Sequence, residues 1–307
     1  MRRFTHAGRV AGVIDIRIPD GLVASQYTYA GEPGRAFIAA LPGRVNDIVE
    51  RWDLTVDGAP MHGMAALVLP VVCADGTPAA VKFQLLDEET EGEPVALRVW
   101  DGAGAVRLLD HDPETGTMLL ERLDSARMLS SVADTREAVL VLARLLARLT
   151  AGPAPQGMRR LGDIAAEMVE DLPRTLKAIT DPAERAVVER CGGAVREVMG
   201  EPGDRLLHWD LHFENVLAGE REPWLAIDPK PLAGDPGFDL WPALDNRFAA
   251  DEVLWRFDAM TDVLGLDRER ARAWTLGRVL QNAIWEAEDG RPVAADDLEI
   301  ARLLLAR

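Results

Sequence analysis

Positive charge is scarce in this chain. Its 307 residues carry 34 Lys and Arg against 51 Asp and Glu, a formal net charge of -17 with a pI of about 4.8. A surface of that sign repels phosphate backbones, which excludes a nucleic-acid-binding role and favours cationic partners. Cysteine is nearly absent. Cys73 and Cys191 lie far apart with no CxxC or CxxH spacing, which excludes zinc and a disulfide-built secreted fold and fits a reducing compartment. Long apolar runs are missing too: the longest uncharged stretch, Gly58 to Ala74, contains Pro60, Pro70 and Gly63 and is too short to span a membrane. The start, Met1 to His6, has two arginines but no apolar stretch after it, since Asp15, Arg17 and Asp20 interrupt, so no signal peptide is expected. The reading is a cytoplasmic protein. A hydrophobic content of 48% is enough to bury a core and excludes disorder as the main theme.

What is present changes in texture near residue 124, which predicts two lobes, 1–123 and 124–307. In the first, Ala65–Val72 and Ala79–Phe83 read as strands joined by the turn Asp75–Pro78. Ala105–Leu109 and Thr117–Glu121 read as a second hairpin around Asp112–Gly116. Helical spacing marks Ala36–Trp52, with a break at Pro42, and a segment from Asp87 to Trp100 interrupted by Gly92 and Pro94. In the second lobe the spacing predicts helices over Thr135–Thr150, with Val139, Leu142, Leu145, Leu146 and Leu149 as one stripe, over Met158–Ala178, and over Pro182–Val198 with Ala183, Ala186 and Val187 inward. More follow from Pro242 to the end.

Between these helices lies a segment of another kind. Arg205–Leu217 is a short apolar entry, a polar loop holding Asp210 and Asn215, and an apolar exit; Trp224–Asp228 is a further apolar strand ending in an aspartate. One candidate base and two oxygen ligands therefore fall in one short stretch. Phosphoryl transfer calls for such a set: a carboxylate for the attacking hydroxyl and hard oxygen ligands for magnesium. Lys82, the lone charge on its strand, is suited to nucleotide phosphates.

The string His208-Trp-Asp-Leu-His-Phe-Glu-Asn215 resembles the kinase catalytic loop H-x-D-x-x-x-x-N, and Asp228 stands where kinases carry a metal-binding aspartate. With Gly234–Trp241 following, the pattern resembles the aminoglycoside phosphotransferase branch of the kinase-like fold. Leu207–Leu217 and Glu222–Pro231 resemble, more narrowly, the streptomycin 6-phosphotransferases, also labelled aminoglycoside/hydroxyurea resistance kinases. Val106–Asp112, Met118–Leu123 and Leu280–Trp285 extend the likeness over most of the chain. The resemblance implies an α+β, bilobal protein-kinase-like fold with a small antiparallel-sheet N-lobe and a mainly helical C-lobe. It implies Asp210 as catalytic base, Asn215 and Asp228 as Mg2+ ligands, and Lys82 on the phosphates of ATP, with GTP as the alternative. Glu121 and Leu123 would bound the adenine-binding hinge. For the acidic partner of Lys82, Glu89 is preferred over Glu93, because Pro94 disfavours helical geometry before it. The implied substrate is a cationic small molecule, streptomycin at its 6-hydroxyl, with no membrane or obligate protein partner.

The sequence departs from kinases in two places: Asp57–Gly63 has only Gly58 and Gly63 where a G-x-G-x-x-G loop is usual, and Pro229 replaces phenylalanine after Asp228. His208 reads as a buttress of the loop, and His212 either faces substrate or packs. Asp235 is expected to brace the catalytic loop and Asp239 to cap the next helix. Trp285, Glu286, Glu288 and Asp289 could hold a guanidinium-bearing sugar or form a solvated helix end; Asp245 and Glu214 are weaker candidates for contact with the acceptor. A binuclear hydrolase using His208, Asp210 and His212 would need more histidines than His6, His62 and His111 provide. A pseudokinase would lack one of Lys82, Asp210, Asn215 or Asp228, and all four are present.

Overall fold

Residues 14–307 are described by a computed structural model; the stretch Met1 to His6, with the signal-peptide reading made on it, lies outside them. Contacts divide the chain into a first unit reaching Asp87 and resuming over Leu108–Arg122, and a second unit of Glu88–Arg107 and Leu123–Arg307. The division beside Arg122 falls next to the expected boundary. The segment 88–107, expected in the first lobe, groups with the second unit instead.

The first unit opens with α1 (Asp20–Tyr29) and α2 (Gly31–Arg51). The break expected at Pro42 does not occur. Proline removes one helical N–H, but Phe37, Leu41, Val45 and Ile48 form a continuous buried stripe on α2 that holds the helix through it. Asn46 Nδ2 also donates to the Pro42 carbonyl at 2.8 Å. Short strands β1 (Thr55–Val56) and β2 (Met61–His62) both pair with β3 (Ala66–Val72), which pairs with β4 (Pro78–Gln84). Asp75 closes the β3–β4 turn by accepting from the Thr77 amide at 2.9 Å, and Gly76 supplies the left-handed backbone there at φ 88°.

Strand pleating then sorts the side chains. Leu67, Leu69 and Val71 of β3 and Ala79, Val81 and Phe83 of β4 join the α2 stripe in one core, each of the larger side chains contributing about 1.5–3 kcal/mol on full burial. Lys82 alternates onto the opposite face.

Next in the chain is α3 (Glu93–Trp100) of the second unit, shorter than the expected helix from Asp87. It starts at Glu93 because proline is tolerated in a first turn, where the N–H has no intrahelical partner. The sheet resumes with β5 (Leu108–Asp112) and β6 (Thr117–Glu121), giving the antiparallel order β1–β3–β4–β6–β5. The second hairpin thus begins at Leu108. Ala105, expected in that strand, bridges to Ala226 of the second unit.

After β7 (Asp124–Met128) the second unit is mainly helical, with α4 (Thr135–Leu149), α5 (Leu161–Ala178) and α6 (Pro182–Val198). Asp134 and Asp181 cap α4 and α6, each accepting two backbone amides of the first turn. All five stripe residues of α4 are buried. The inward face of α6 is Val188, Cys191 and Val195; Ala183 and Ala186 are exposed and Val187 is half-buried, a displaced choice among several apolar positions of similar period.

The motif segment folds as two nested hairpins. Strand β8 (Arg205–Leu207) pairs with β11 (Leu232–Gly234), and inside them β9 (Val216–Ala218) pairs with β10 (Leu225–Ala226) and with β7. The helices α7 (Trp241–Asp245), α8 (Val253–Leu264), α9 (Arg268–Glu288) and α10 (Ala295–Leu305) complete the unit.

Candidate active site

Nesting sets two polar loops side by side, residues 208–215 between β8 and β9 and residues 227–231 between β10 and β11. Backbone bonds lock them together: the Ile227 amide donates to the Asn215 carbonyl at 2.9 Å and the Lys230 amide to the His208 carbonyl at 3.0 Å. His208 adds a side-chain link. It is wholly buried, its Nε2 lies 3.0 Å from the Ile227 carbonyl, and its Nδ1 lies 3.3 Å from the Asp210 amide. Nδ1 accepts from that amide, so Nε2 carries the proton and the ring is neutral. Burial drives its pKa down to about 3, against the pull of Asp228. Trp100 stacks on the ring with centroids 6.0 Å apart and donates Nε1–H to the Leu149 carbonyl at 2.8 Å. The buttress reading of His208 therefore has a geometry, and the binuclear-metal reading loses its first ligand. Among the described residues no group of three or more His, Cys, Asp or Glu is placed to hold a metal.

Asp210 is half-buried, and Asn215 Nδ2 donates both to its backbone carbonyl at 2.8 Å and to its Oδ2 at 3.3 Å. Burial raises the Asp210 pKa from its ordinary value; His212 and Arg278 oppose the rise and Asp228 adds to it. The Asp228 backbone is left-handed at φ 56°, an uncommon conformation for a residue other than glycine, and its Oδ1 lies 3.5 Å from Lys230 Nζ. An amide oxygen beside two carboxylates that repel one another is a donor set suited to a small hard cation. Mg2+ keeps most of its shell as water and phosphate, so one carboxylate and one amide suffice. His212 turns to Glu214, Nδ1 to Oε2 at 2.9 Å, with Nε2 at 4.0 Å from Asp210.

The roles expected of the two downstream aspartates are exchanged. Asp239, wholly buried, accepts from the amides of His208 at 2.9 Å and Trp209 at 2.8 Å and so braces the catalytic loop. Burial carries its pKa up to about 7, against those two bonds. Asp235 caps the short 3-10 turn Pro236–Asp239, accepting from the Gly237 amide at 2.8 Å, and pairs with Arg270 at 2.5 Å; α7 itself has no side-chain cap. Both lie in one short loop, and only the return of the chain over β8 decides which carboxylate reaches the loop amides.

In the first unit Lys82 is 4% exposed, with Val68 and Met118 as its strand partners. Glu121 ends β6 opposite Ala79, and Arg122 binds Asp57 and the Val71 carbonyl, fixing the turn before Gly58. Leu123, half-buried, already belongs to the second unit. Glu89 precedes α3 and is half-buried, whereas Glu93 opens that helix and is wholly buried. The two do not share a helix face, and the ground for preferring Glu89 is removed.

The acidic cluster at the end of α9 is already paired. Glu286 and Asp289 bind Arg291, at 2.6 and 2.8 Å, and Glu288 binds Arg174 at 2.6 Å. A face of Trp285 is occupied by Arg278, 5.2 Å from the ring centroid. Asp245 is half-buried with a raised pKa, from burial and then from Asp296. Sequence reasoning missed Arg278, whose signal is a lone charge between Leu276 and Leu280, and Asn246, whose Oδ1 accepts from the Phe213 amide at 2.6 Å.

Comparison with known proteins gives the fold and the family. An aminoglycoside phosphotransferase, APH(4)-Ia, solved with AMP-PNP and hygromycin B, superposes with a TM-score of 0.60 at 16% identity, covering 85% of this chain and 97% of that one. The fold is therefore that of the kinase-like phosphotransferases. The family of aminoglycoside/hydroxyurea antibiotic resistance kinases matches residues 51–290, and the chain belongs to it. A hydroxyurea phosphotransferase of Kitasatospora aureofaciens is 59% identical over 302 residues, which cover 97% of this chain and 88% of the relative. A streptomycin 6-kinase of Streptomyces glaucescens is 58% identical over 283 residues, which cover 90% and 92%.

Proposed function

We propose that this chain is an ATP-dependent O-phosphotransferase that modifies streptomycin at its 6-hydroxyl and so confers resistance. The observation that carries the reading is the Asp210 carboxylate held by Asn215 Nδ2 at 3.3 Å, on a loop locked to the one bearing Asp228. The relative named streptomycin 6-kinase supports the acceptor. Hydroxyurea is the second reading, favoured by the relative named for it.

In the reaction, Asp210 orients the acceptor hydroxyl and takes its proton as the oxygen–phosphorus bond forms and the bond to ADP breaks. Burial raises its pKa, which makes the carboxylate a stronger base than a solvated aspartate. Asn215 fixes the carboxylate's rotamer, and His208 and Asp239 fix the backbone beneath it. Asn215 and Asp228 would hold Mg2+, whose charge offsets that of the phosphates. Lys82 steadies the transferring group, with Glu93 or Glu89 as its carboxylate partner, and Glu121 and Leu123 flank the adenine. Positioning and charge neutralisation supply most of the rate.

A coupled ADP-release assay across streptomycin, 2-deoxystreptamine aminoglycosides, hydroxyurea and choline tests this. Release with streptomycin is expected. Asp210→Ala should lower it about a thousandfold while nucleotide affinity holds. Release with none of the panel would leave a nucleotide-binding pseudokinase or a kinase of another metabolite; wild-type turnover in Asp210→Ala would remove the base.

A further inference from the structure

Two buried arginines of the second unit stand in contrast. Arg256 is 1% exposed and spends its donors on the carbonyls of Ala243, Leu244, Asn246 and Arg247, at 2.7 to 3.2 Å. Arg278 is 7% exposed and, among the described residues, makes one hydrogen bond, Nη1 to Gln281 Oε1 at 2.9 Å, and no ion pair; its Nε, like that of Arg256, has no partner. A guanidinium has five N–H donors, and a buried charge left short of acceptors is costly. What surrounds it is aromatic: the ring centroids of Trp285, Trp209, Trp241 and Phe238 lie 5.2 to 5.9 Å from its central carbon. Such contacts offset part of the cost and hold the group in place, but they accept no hydrogen bond along its edge.

The position is informative. Trp209, whose ring lies under Arg278, precedes the candidate base, and the Arg278 charge opposes the burial-driven rise of the Asp210 pKa. The Trp209 indole Nε1 is buried and equally without an acceptor. Trp285, 39% exposed, tilts against Trp209 with centroids 6.3 Å apart. Unmet donors beside the carboxylate that activates a hydroxyl are complementary to a ligand rich in oxygen acceptors. They do not complement an ammonium or guanidinium group, and the carboxylates at the end of α9 that could have received one are already paired.

We propose that Arg278, with the indole N–H of Trp209, forms an acceptor-recognition subsite: the guanidinium edge donates to a hydroxyl or carbonyl oxygen of the phosphoryl acceptor and sets the reacting hydroxyl on Asp210. The inference deepens the proposed function and rests on Asp210 as the base. It assigns the neutral, oxygen-bearing face of the acceptor to this end of the site.

The test uses Arg278→Met, which keeps length and apolar contact, and Arg278→Lys, which keeps charge but loses the planar fork. Each is checked for folding by circular dichroism and melting, then measured for ADP affinity and, with streptomycin as the probe, for acceptor KM, kcat and equilibrium binding. Expected is a rise of about tenfold to a hundredfold in streptomycin KM and Kd for Arg278→Met, the worth of a hydrogen bond to a charged donor, with ADP affinity held within about twofold and Arg278→Lys intermediate. An unchanged KM, or a fall in KM on removing a positive charge from a cationic ligand's path, overturns the subsite; should Arg278→Met not fold, an unchanged KM in Arg278→Lys does the same. Failure of wild-type protein to turn over any acceptor would instead overturn the proposed function itself, so the two failures are distinguishable.

Discussion

His208 shows what one residue can carry. It ties the Asp210 amide to the Ile227 carbonyl only as the neutral tautomer, and its folded pKa of about 3 lies below the ordinary 6.5. A histidine depressed in the native state contributes stability above its unfolded pKa, and this is lost as pH falls from 6.5 toward 3, because the unfolded chain binds the proton first. The stability advantage of wild type over His208→Gln, from urea unfolding, should therefore shrink by about 2 kcal/mol between pH 7 and pH 5. Equal advantages at the two pH values would mean that the imidazole is not held neutral. The sequence motif makes His208 a buttress; that it needs Trp100 from α3 above it appears only in the fold.

At the scale of elements, the catalytic loop is held by a chain of supports that begins far from it. Arg256 of α8 satisfies the carbonyls at the end of α7, and Asn246, just past that end, accepts from the Phe213 amide. Arg256→Leu strands the buried carbonyls of Ala243 and Leu244 and the part-buried ones of Asn246 and Arg247, and should cost about 3–5 kcal/mol in urea unfolding, with kcat falling in the fraction that remains folded. A loss below about 1 kcal/mol would show that water replaces the guanidinium. Element by element, long amphipathic stripes were legible: α4 runs where its leucines predict. Punctuation by proline was less so. Pro42 sits inside a helix and Pro94 starts one, because packing along a stripe outweighs one missing N–H and a first turn does not need it.

For the whole molecule, the net charge of -17 draws cations toward the protein from any direction. Capture of a cationic acceptor should weaken as salt shortens the Debye length, so the streptomycin KM should rise severalfold between about 50 and 500 mM NaCl with kcat nearly constant. A flat response would remove electrostatic steering and leave the subsite of Arg278, which works at contact range, untouched. The sequence by itself determined most of the strand-and-helix pattern, the small-sheet and mainly helical parts of the fold, and the motif strings that carry Asp210, Asn215 and Asp228, because these depend on neighbours within a few positions. Only the tertiary structure decided that Asp239 rather than Asp235 braces His208 and Trp209 across 31 and 30 positions, that Glu93 is the buried carboxylate, and that Arg278 lies over the ring of Trp209, the neighbour of the candidate base. Local spacing says which side chains share a turn. Partners from distant segments are set by how buried helices and hairpins pack, and one added residue of rotation exchanges one carboxylate for another.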